Sequence, residues 1–353
     1  MSKKRVEWID LSRAIGMLLI ICNHSVGGSY GSGFIGKFCF AVSVPIFFVL
    51  SGYLFKEKKF AEVVKGGFLN LLLPYIVTVF MLWVVRSLHI VFPSWVVEQG
   101  SSFSLAVAYG LGTATNLPNG IVIPAIGAIW FLLAMFVGNI LFQLGIKLQN
   151  IVNRKATLEA YVITLLIVGY WTGEYIKLPW SINAAMVSQV FYYFGYIIKK
   201  YNLLKKERLS LTLIGLLFWV VSAMSGYLYL NVPFANNVFL ALLGGIGGSY
   251  TIISISKLIT DNVSVKAMCY YGKMSLIVLS VHLIESDSLK FGMLISQAVN
   301  NILHNELLAI YGVLLYRICL TAIAVMVIPK IPVLRSFYLN RQYPFFKRLK
   351  VKE

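Results

Sequence analysis

The 353-residue chain has few charged residues, and its cysteines are not spaced as metal ligands are. Only 12% of its residues are Asp, Glu, Lys or Arg, whereas 59% are hydrophobic and the mean hydropathy is +0.80. A water-soluble domain cannot bury so much apolar surface, so this composition excludes a soluble enzyme and predicts a membrane protein. The four cysteines lie singly in apolar segments, which excludes a disulfide framework and a zinc site. We therefore expect no metal.

Acidic residues are also scarce, because 13 Asp and Glu stand against 31 Lys and Arg, giving a formal net charge of +18. The basic residues lie between and after apolar runs, as in the cytoplasmic loops of membrane proteins, and we expect no nucleic-acid partner. The sequence predicts an all-α, polytopic integral membrane protein with about ten transmembrane helices. The predicted spans are residues 8–29, 34–55, 68–92, 121–147, 158–173, 182–199, 209–230, 234–257, 270–293 and 306–330.

The distribution of charge also predicts the orientation of these spans. With the amino terminus inside the cell, 25 of the 31 basic residues fall on the cytoplasmic side, and both termini are cytoplasmic. We predict one transmembrane domain over residues 1–335 and a basic cytoplasmic tail over residues 336–353. The tail mixes basic and aromatic residues, as membrane-surface anchors do, so membrane lipids are expected partners.

Charged groups inside the predicted spans are rare, and the first span holds a conspicuous set. At about 100° per residue, Arg13 and His24 fall within about 20° of each other, and Asp10 lies about 60° from Arg13. Arg13 and His24 are separated by about 16 Å along the axis, about half of the hydrocarbon thickness. Because ionisable groups in lipid are costly and usually functional, we predict a site along this stripe. The alternative is that Arg13 only neutralises Asp10.

Other polar residues in the spans are weaker candidates. Imidazole suits proton transfer near neutral pH, which makes His24 a candidate general base. For His282, no charge lies on the same face of its span, so structural and functional roles are equally supported. Arg86 and Arg317 are candidate ligands for phosphate or carboxylate, although Arg86 can reach the outer surface and Arg317 can pair with a carboxylate. Tyr53 either packs between helices or lines a pocket.

Six segments match, in order, the motifs of one known family. The most specific motif is Arg or Lys, ten intervening residues and His, which is present here as Arg13 and His24. The other segments are 44–55 (VPIFFVLSGYLF), 71–75 (LLLPY), 129–136 (IWFLLAMF), 191–200 (FYYFGYIIKK) and 271–284 (YGKMSLIVLSVHLI). On these motifs the chain resembles the membrane-bound acyltransferase-3 family. It departs from many relatives at Gly67 and Asn70, where they carry two arginines assigned to the donor, so that role is not transferred.

The resemblance implies a membrane-embedded O-acyltransferase of the bacterial cytoplasmic membrane. It would move an acyl group, with acetyl expected, from acyl-CoA to a hydroxyl of a cell-surface polysaccharide or lipid-linked sugar. Acyl-CoA, expected to be acetyl-CoA, is then a donor substrate, and no tightly bound cofactor is expected. The predicted catalytic residues are His24, Arg13 and Asp10. The predicted substrate-binding residues are Tyr53, Trp130, His282, Arg86 and Arg317. Whether His24 acts as a base or as a transient acyl carrier stays open.

The sequence leaves open two hypotheses from other functional classes. A proton-coupled transporter or flippase of an anionic or lipid-linked glycan would also place ionisable residues inside the spans. A membrane sensor or scaffold that has lost the chemistry is a third hypothesis. The presence of both Arg13 and His24 favours an enzyme over the scaffold.

Overall fold

The computed structural model describes residues 6–26, 28–87, 100–117, 120–154, 156–205 and 209–345. Within them the chain is mostly helical, which confirms the all-α class. The α-helices are α1 (Glu7–Ser25), α2 (Gly28–Ser32), α3 (Phe34–Ser43), α4 (Pro45–Leu54), α5 (Phe60–Gly67), α6 (Leu73–Ser87), α7 (Gly100–Tyr109), α8 (Trp130–Val152), α9 (Thr157–Tyr175), α10 (Ile182–Val187), α11 (Gln189–Lys200), α12 (Leu209–Ser225), α13 (Val238–Asn262), α14 (Lys266–Lys273), α15 (Ser275–Ile284), α16 (Phe291–Leu303), α17 (Glu306–Val327) and α18 (Pro332–Tyr338).

Shorter elements connect these helices. One antiparallel hairpin pairs β1 (Thr115–Asn116) with β2 (Val122–Ile123), and another pairs β3 (Leu228–Tyr229) with β4 (Phe234–Ala235). The turn of the second hairpin meets the segment before the first, because Asn231 Nδ2 donates to Thr113 Oγ1 at 3.1 Å. Short 3₁₀ helices cover Gly127–Ile129, Pro179–Ser181 and Ile328–Lys330, and π-helical turns cover Phe68–Leu72 and Glu285–Leu289.

Five helical stretches in the described residues are long and apolar enough to cross a membrane. They are Phe34–Leu54, Phe60–Val85, Gly127–Val152, Val238–Asn262 and Glu306–Lys330. A sixth stretch is the pair α14 and α15 with the π-helical turn that follows, bent by 67° at its break. The protein is therefore a multi-pass membrane protein. The predicted number of ten spans and the cytoplasmic location of the termini are not confirmed.

Several predicted spans are interrupted or short in the structure, and their sequences explain why. The predicted span 34–55 consists of α3 and α4, and Pro45 opens α4 because its ring lacks the amide hydrogen that a continuous helix needs. The predicted span 270–293 breaks at Met274 and again at Lys290, whose φ of 55° is left-handed. Helix α12, in the predicted span 209–230, has only 17 residues, so it is shorter than the usual 20 of a span.

Helix α1 lies at the centre of the fold, in contact with α3, α4, α13, α14, α15 and α17. Its apolar residues Ala14, Met17 and Ile21 are completely buried. On another side, α4 packs closely on α11, and Gly52 permits the approach, because a Cβ there would overlap the carbonyl oxygen of Tyr192. Gly52 therefore has a packing role in this helix contact.

The chain after α17 packs back on the helices. In α18, Tyr338 is buried, and its hydroxyl lies 3.1 Å from Thr78 Oγ1 of α6. Residue 335, where the domain is predicted to end, lies within this packed helix. The boundary itself stays a prediction.

The contact between α4 and α11 gives a prediction about stability. Gly52→Ala should destabilise the protein by about 1–3 kcal/mol or more, because the new methyl group meets backbone that cannot move aside. The matched control is Gly66→Ala in α5, where a Cβ would meet no atom within 4 Å. Thermal unfolding in detergent measures both variants. Equal melting temperatures for Gly52→Ala and the wild type would contradict this packing.

Candidate functional site

His24 lies in the last turn of α1, where its side chain is exposed to a cavity of about 630 Å³. This volume is within the range of about 300–1,000 Å³ that is usual for small-molecule sites. The cavity is built by α1, α3, the start of α8, the two hairpin regions and the π-helical turn after α15. Side chains useful for binding are Asn23, Thr113, Asn231, Asp287 and Lys290, with the aromatic residues Phe40, Trp130 and Tyr229.

A second histidine lies directly beside His24. The ring centroids of His24 and His282 are 5.3 Å apart, and the ring planes meet at 67°. His282 belongs to α15 and is 1% exposed, and neither of its ring nitrogens has a hydrogen-bond partner among the described residues. A buried polar group without a partner is costly, so its presence beside an exposed histidine marks the pair as a functional candidate.

A buried ion pair holds the end of α1 that carries His24. Arg317 Nε donates to Glu285 Oε2 at 2.8 Å, and the other carboxylate oxygen accepts the backbone N–H of Gly292 at 2.7 Å. Arg317 Nη1 donates to the carbonyl oxygen of His24 at 2.6 Å and to Ser25 Oγ at 3.2 Å. The last carbonyl groups of a helix have no partner within the helix, and here the guanidinium supplies one. The pair therefore links α1 to α17 and to the turn after α15.

The remaining polar groups of α1 lie at its other end. Arg13 Nη1 lies 3.6 Å from Asp10 Oδ1, and Asp10 is buried whereas Arg13 is partly exposed. Tyr53 of α4 packs edge-on against Trp8, with ring centroids 5.0 Å apart. Neither Asp10 nor Arg13 lines the cavity around His24. The Asp10–Arg13 ion pair expected as the structural alternative is thus present, and it is separate from the cavity.

The structure brings together four of the predicted site residues and separates the others. Trp130 lines the cavity of His24, His282 contacts the His24 ring, and Arg317 donates to the His24 backbone. Asp10, Arg13 and Tyr53 lie towards the opposite end of α1. The side chain of Arg86 lies outside the described part of the chain. Arg317 follows the alternative stated for it, because it pairs with a carboxylate rather than facing the cavity.

The residues of the site that were not among the predicted ones are Asn23, Phe40, Thr113, Tyr229, Asn231, Glu285, Asp287 and Lys290. Glu285, Asp287 and Lys290 interrupt a single apolar segment, 270–293, and charged residues in such a segment are a signal of function. Asn23 precedes His24 directly, but nothing in the sequence distinguishes it from other polar residues at a helix end. Among the described residues, no group of three or more His, Cys, Asp or Glu is placed to hold a metal ion.

The fold and this cavity define a multi-pass membrane protein with a histidine site enclosed by its helices. A family model described as an acyltransferase domain, that of the acyltransferase-3 family, matches residues 6–330. This match covers most of the chain, so the protein belongs to the acyltransferase-3 family and is a membrane acyltransferase. No curated protein and no solved structure matches the chain.

The ion pair of Arg317 and Glu285 predicts a characteristic set of mutant effects. Glu285→Ala should destabilise the protein by about 3–5 kcal/mol, because it leaves a buried guanidinium without its carboxylate. The double variant Glu285→Leu with Arg317→Met should recover much of this loss, since no buried charge remains unpaired. Thermal unfolding in detergent gives the three stabilities. An undiminished melting temperature in Glu285→Ala would show that the pair does not hold the fold.

Proposed function

We propose that this acyltransferase moves an acetyl group from acetyl-CoA to a hydroxyl of a cell-surface polysaccharide or lipid-linked sugar, in the bacterial cytoplasmic membrane. The observation that carries the proposal is the exposed imidazole of His24 in a cavity, with the end of its helix held by Arg317. Membership of an acyltransferase family supports group transfer over transport.

Two routes of acyl transfer are compatible with an imidazole in this position. In the first, His24 takes the proton of the acceptor hydroxyl while the hydroxyl oxygen attacks the thioester carbon. The C–S bond then breaks, and the imidazolium protonates the leaving CoA thiolate. In the second, an imidazole nitrogen attacks the thioester carbon, the C–S bond breaks, and the CoA thiolate leaves with the proton of the imidazolium. The acceptor hydroxyl oxygen then attacks the acyl carbon, the C–N bond breaks, and the imidazole takes the hydroxyl proton. Both routes form one ester and release one CoA thiol.

The two ends of α1 suggest separate tasks in this proposal. Arg13 is a cation beside Asp10, and a guanidinium binds phosphate well, so we assign it to the phosphate-bearing part of CoA. Asp10 fixes the guanidinium in position. The distance of about 16 Å between Arg13 and His24 is one that the extended pantetheine arm of CoA can bridge. With both termini in the cytoplasm, the donor enters at the Arg13 end and the acceptor at the His24 end.

The role of His24 can be tested in cells and with purified protein. His24→Ala should lower acetyl transfer by about 10²–10⁴-fold, because it removes the proposed base or carrier. Labelled acetyl groups on surface glycans are measured at matched protein abundance in wild-type, deletion and variant cells. The control is His304→Asn. His304 is exposed, follows α16 and has a φ of 47°, a left-handed conformation that asparagine also adopts readily.

Three outcomes separate the hypotheses. Loss of acetyl groups in both the deletion and the His24→Ala cells supports acyl transfer through His24. Acetylation that depends on the gene but survives His24→Ala contradicts the assigned residue. Unchanged acetylation with altered glycan export contradicts the proposed reaction and favours the transporter or flippase.

A further inference from the structure

We propose that the cavity beside His24 is the acceptor site and that it selects a saccharide segment without net charge. The inference rests on the proposed acyl transfer at His24, and it adds the position and the charge class of the acceptor. A volume of about 630 Å³ suits a short saccharide segment. Three properties of the wall carry the argument: its aromatic side, its hydrogen-bonding groups and its balance of charge.

One side of the cavity is aromatic and held rigidly. Phe40 of α3 and Tyr229 of β3 both line it, and their ring centroids are 5.2 Å apart. Tyr227 supports both rings, at 5.4 Å from Phe40 and 5.3 Å from Tyr229. Its hydroxyl in turn donates to the carbonyl oxygen of Gly31. Aromatic rings fixed in this way provide an apolar surface for the C–H face of a pyranose ring at low entropic cost.

Hydrogen-bonding groups approach the same space from three other elements. Asn231 is fixed by the bond from its Nδ2 to Thr113 Oγ1, which leaves its amide oxygen outside that bond. Asp287 accepts from Ser286 Oγ at 2.9 Å, and Asn23 lies next to His24 on α1. Amide and carboxylate oxygens accept hydrogen bonds from hydroxyl groups, which are the groups that a sugar presents.

Two glycines bring the backbone close to these side chains. A Cβ at Gly112 would lie 2.5 Å from Trp130 Cδ1 and 3.0 Å from Asn231 Nδ2. Gly127 has a φ of +74°, and a Cβ there would overlap the Asp287 carboxylate. Glycine is required at Gly127 by conformation as well as by space. The wall is thus closely built around the groups that would contact a ligand.

The charges of the lining decide which acceptor fits. Of the described residues around the cavity, Asp287 is the only carboxylate and Lys290 the only lysine or arginine. Their opposite charges offset each other, so the site offers no cluster of cations for a phosphate-rich polymer or for the phosphates of CoA. A saccharide without net charge avoids the cost of desolvating an unpaired anion.

The acceptor specificity is tested with the producing cell's own glycans. Oligosaccharides are released from its surface polymers, freed of esters and separated by anion exchange into neutral and anionic pools. Purified wild-type enzyme and labelled acetyl-CoA are then supplied with each pool. We expect about tenfold more label per mole of sugar in the neutral pool. An anionic acceptor would bind poorly, because its charged group would have no partner in the site.

Variants of the wall locate the site. Asn231→Ala and Tyr229→Ala should raise the acceptor KM by about tenfold, because each removes a direct contact, while the KM for acetyl-CoA stays unchanged. Tyr229→Phe keeps the ring, so its acceptor KM should remain near that of the wild type even if Tyr229→Ala folds poorly. The aromatic control is Tyr175→Ala, an exposed residue at the end of α9 that does not line the cavity.

The outcomes distinguish this inference from the function on which it rests. Preferred labelling of the anionic pool, or wall variants that raise only the KM for acetyl-CoA, overturns the inference while leaving His24-dependent transfer intact. Unchanged acceptor KM in both Asn231→Ala and Tyr229→Ala also overturns it. Absence of label in both pools with wild-type enzyme overturns the proposed function, and the inference with it.

Discussion

The site depends on one buried ion pair, between Arg317 and Glu285. In an apolar interior a lone charge is costly, so each of these groups requires the other. The guanidinium also satisfies the carbonyl of His24, and the carboxylate satisfies the N–H of Gly292. Through these bonds the end of α1, α17 and the turn after α15 meet at a fixed geometry. The position of the His24 ring and of the cavity wall follows from that geometry.

The central helix α1 separates two chemically different regions. Its first turns hold the Asp10–Arg13 pair, and its last turn holds the imidazole that faces the cavity. A single helix of 19 residues fixes their separation, because its rise per residue is constant. In the proposed reaction, such an arrangement keeps the phosphates of the donor far from the acceptor cavity. It also explains why the cavity itself needs few cations.

The fold class follows from the sequence, which also points to candidate residues at both ends of α1. Hydrophobic content predicts a helical membrane protein, and the rarity of ionisable groups in lipid draws attention to His24 and Arg13. The motif of Arg13, ten intervening residues and His24, together with five further segments, resembles the acyltransferase-3 family, and the match over residues 6–330 confirms the membership. The fold class and the candidate residues follow from composition and helical periodicity, whereas the family rests on the resemblance to known motifs.

The contacts that surround His24 could not be predicted in this way. His282 and Arg317 reach His24 only through tertiary packing, across more than 250 residues of chain. The sequence around His282 contains no charge on the same face of its helix, because the residue that it contacts, His24, belongs to α1. Hydropathy also does not locate the bend at Met274 or the left-handed backbone at Lys290, because a window average passes over single residues. The cavity wall comes partly from two short hairpins that have no strong sequence pattern.

Acyl transfer at His24 is tested most directly by an experimental structure with an acetyl-CoA analogue whose sulfur is replaced by a methylene group. We expect the carbonyl carbon of the analogue within about 3–3.5 Å of a His24 ring nitrogen or of a hydroxyl bound beside it. The phosphates should lie towards Arg13. A carbonyl group bound away from the His24 cavity would contradict acyl transfer at His24.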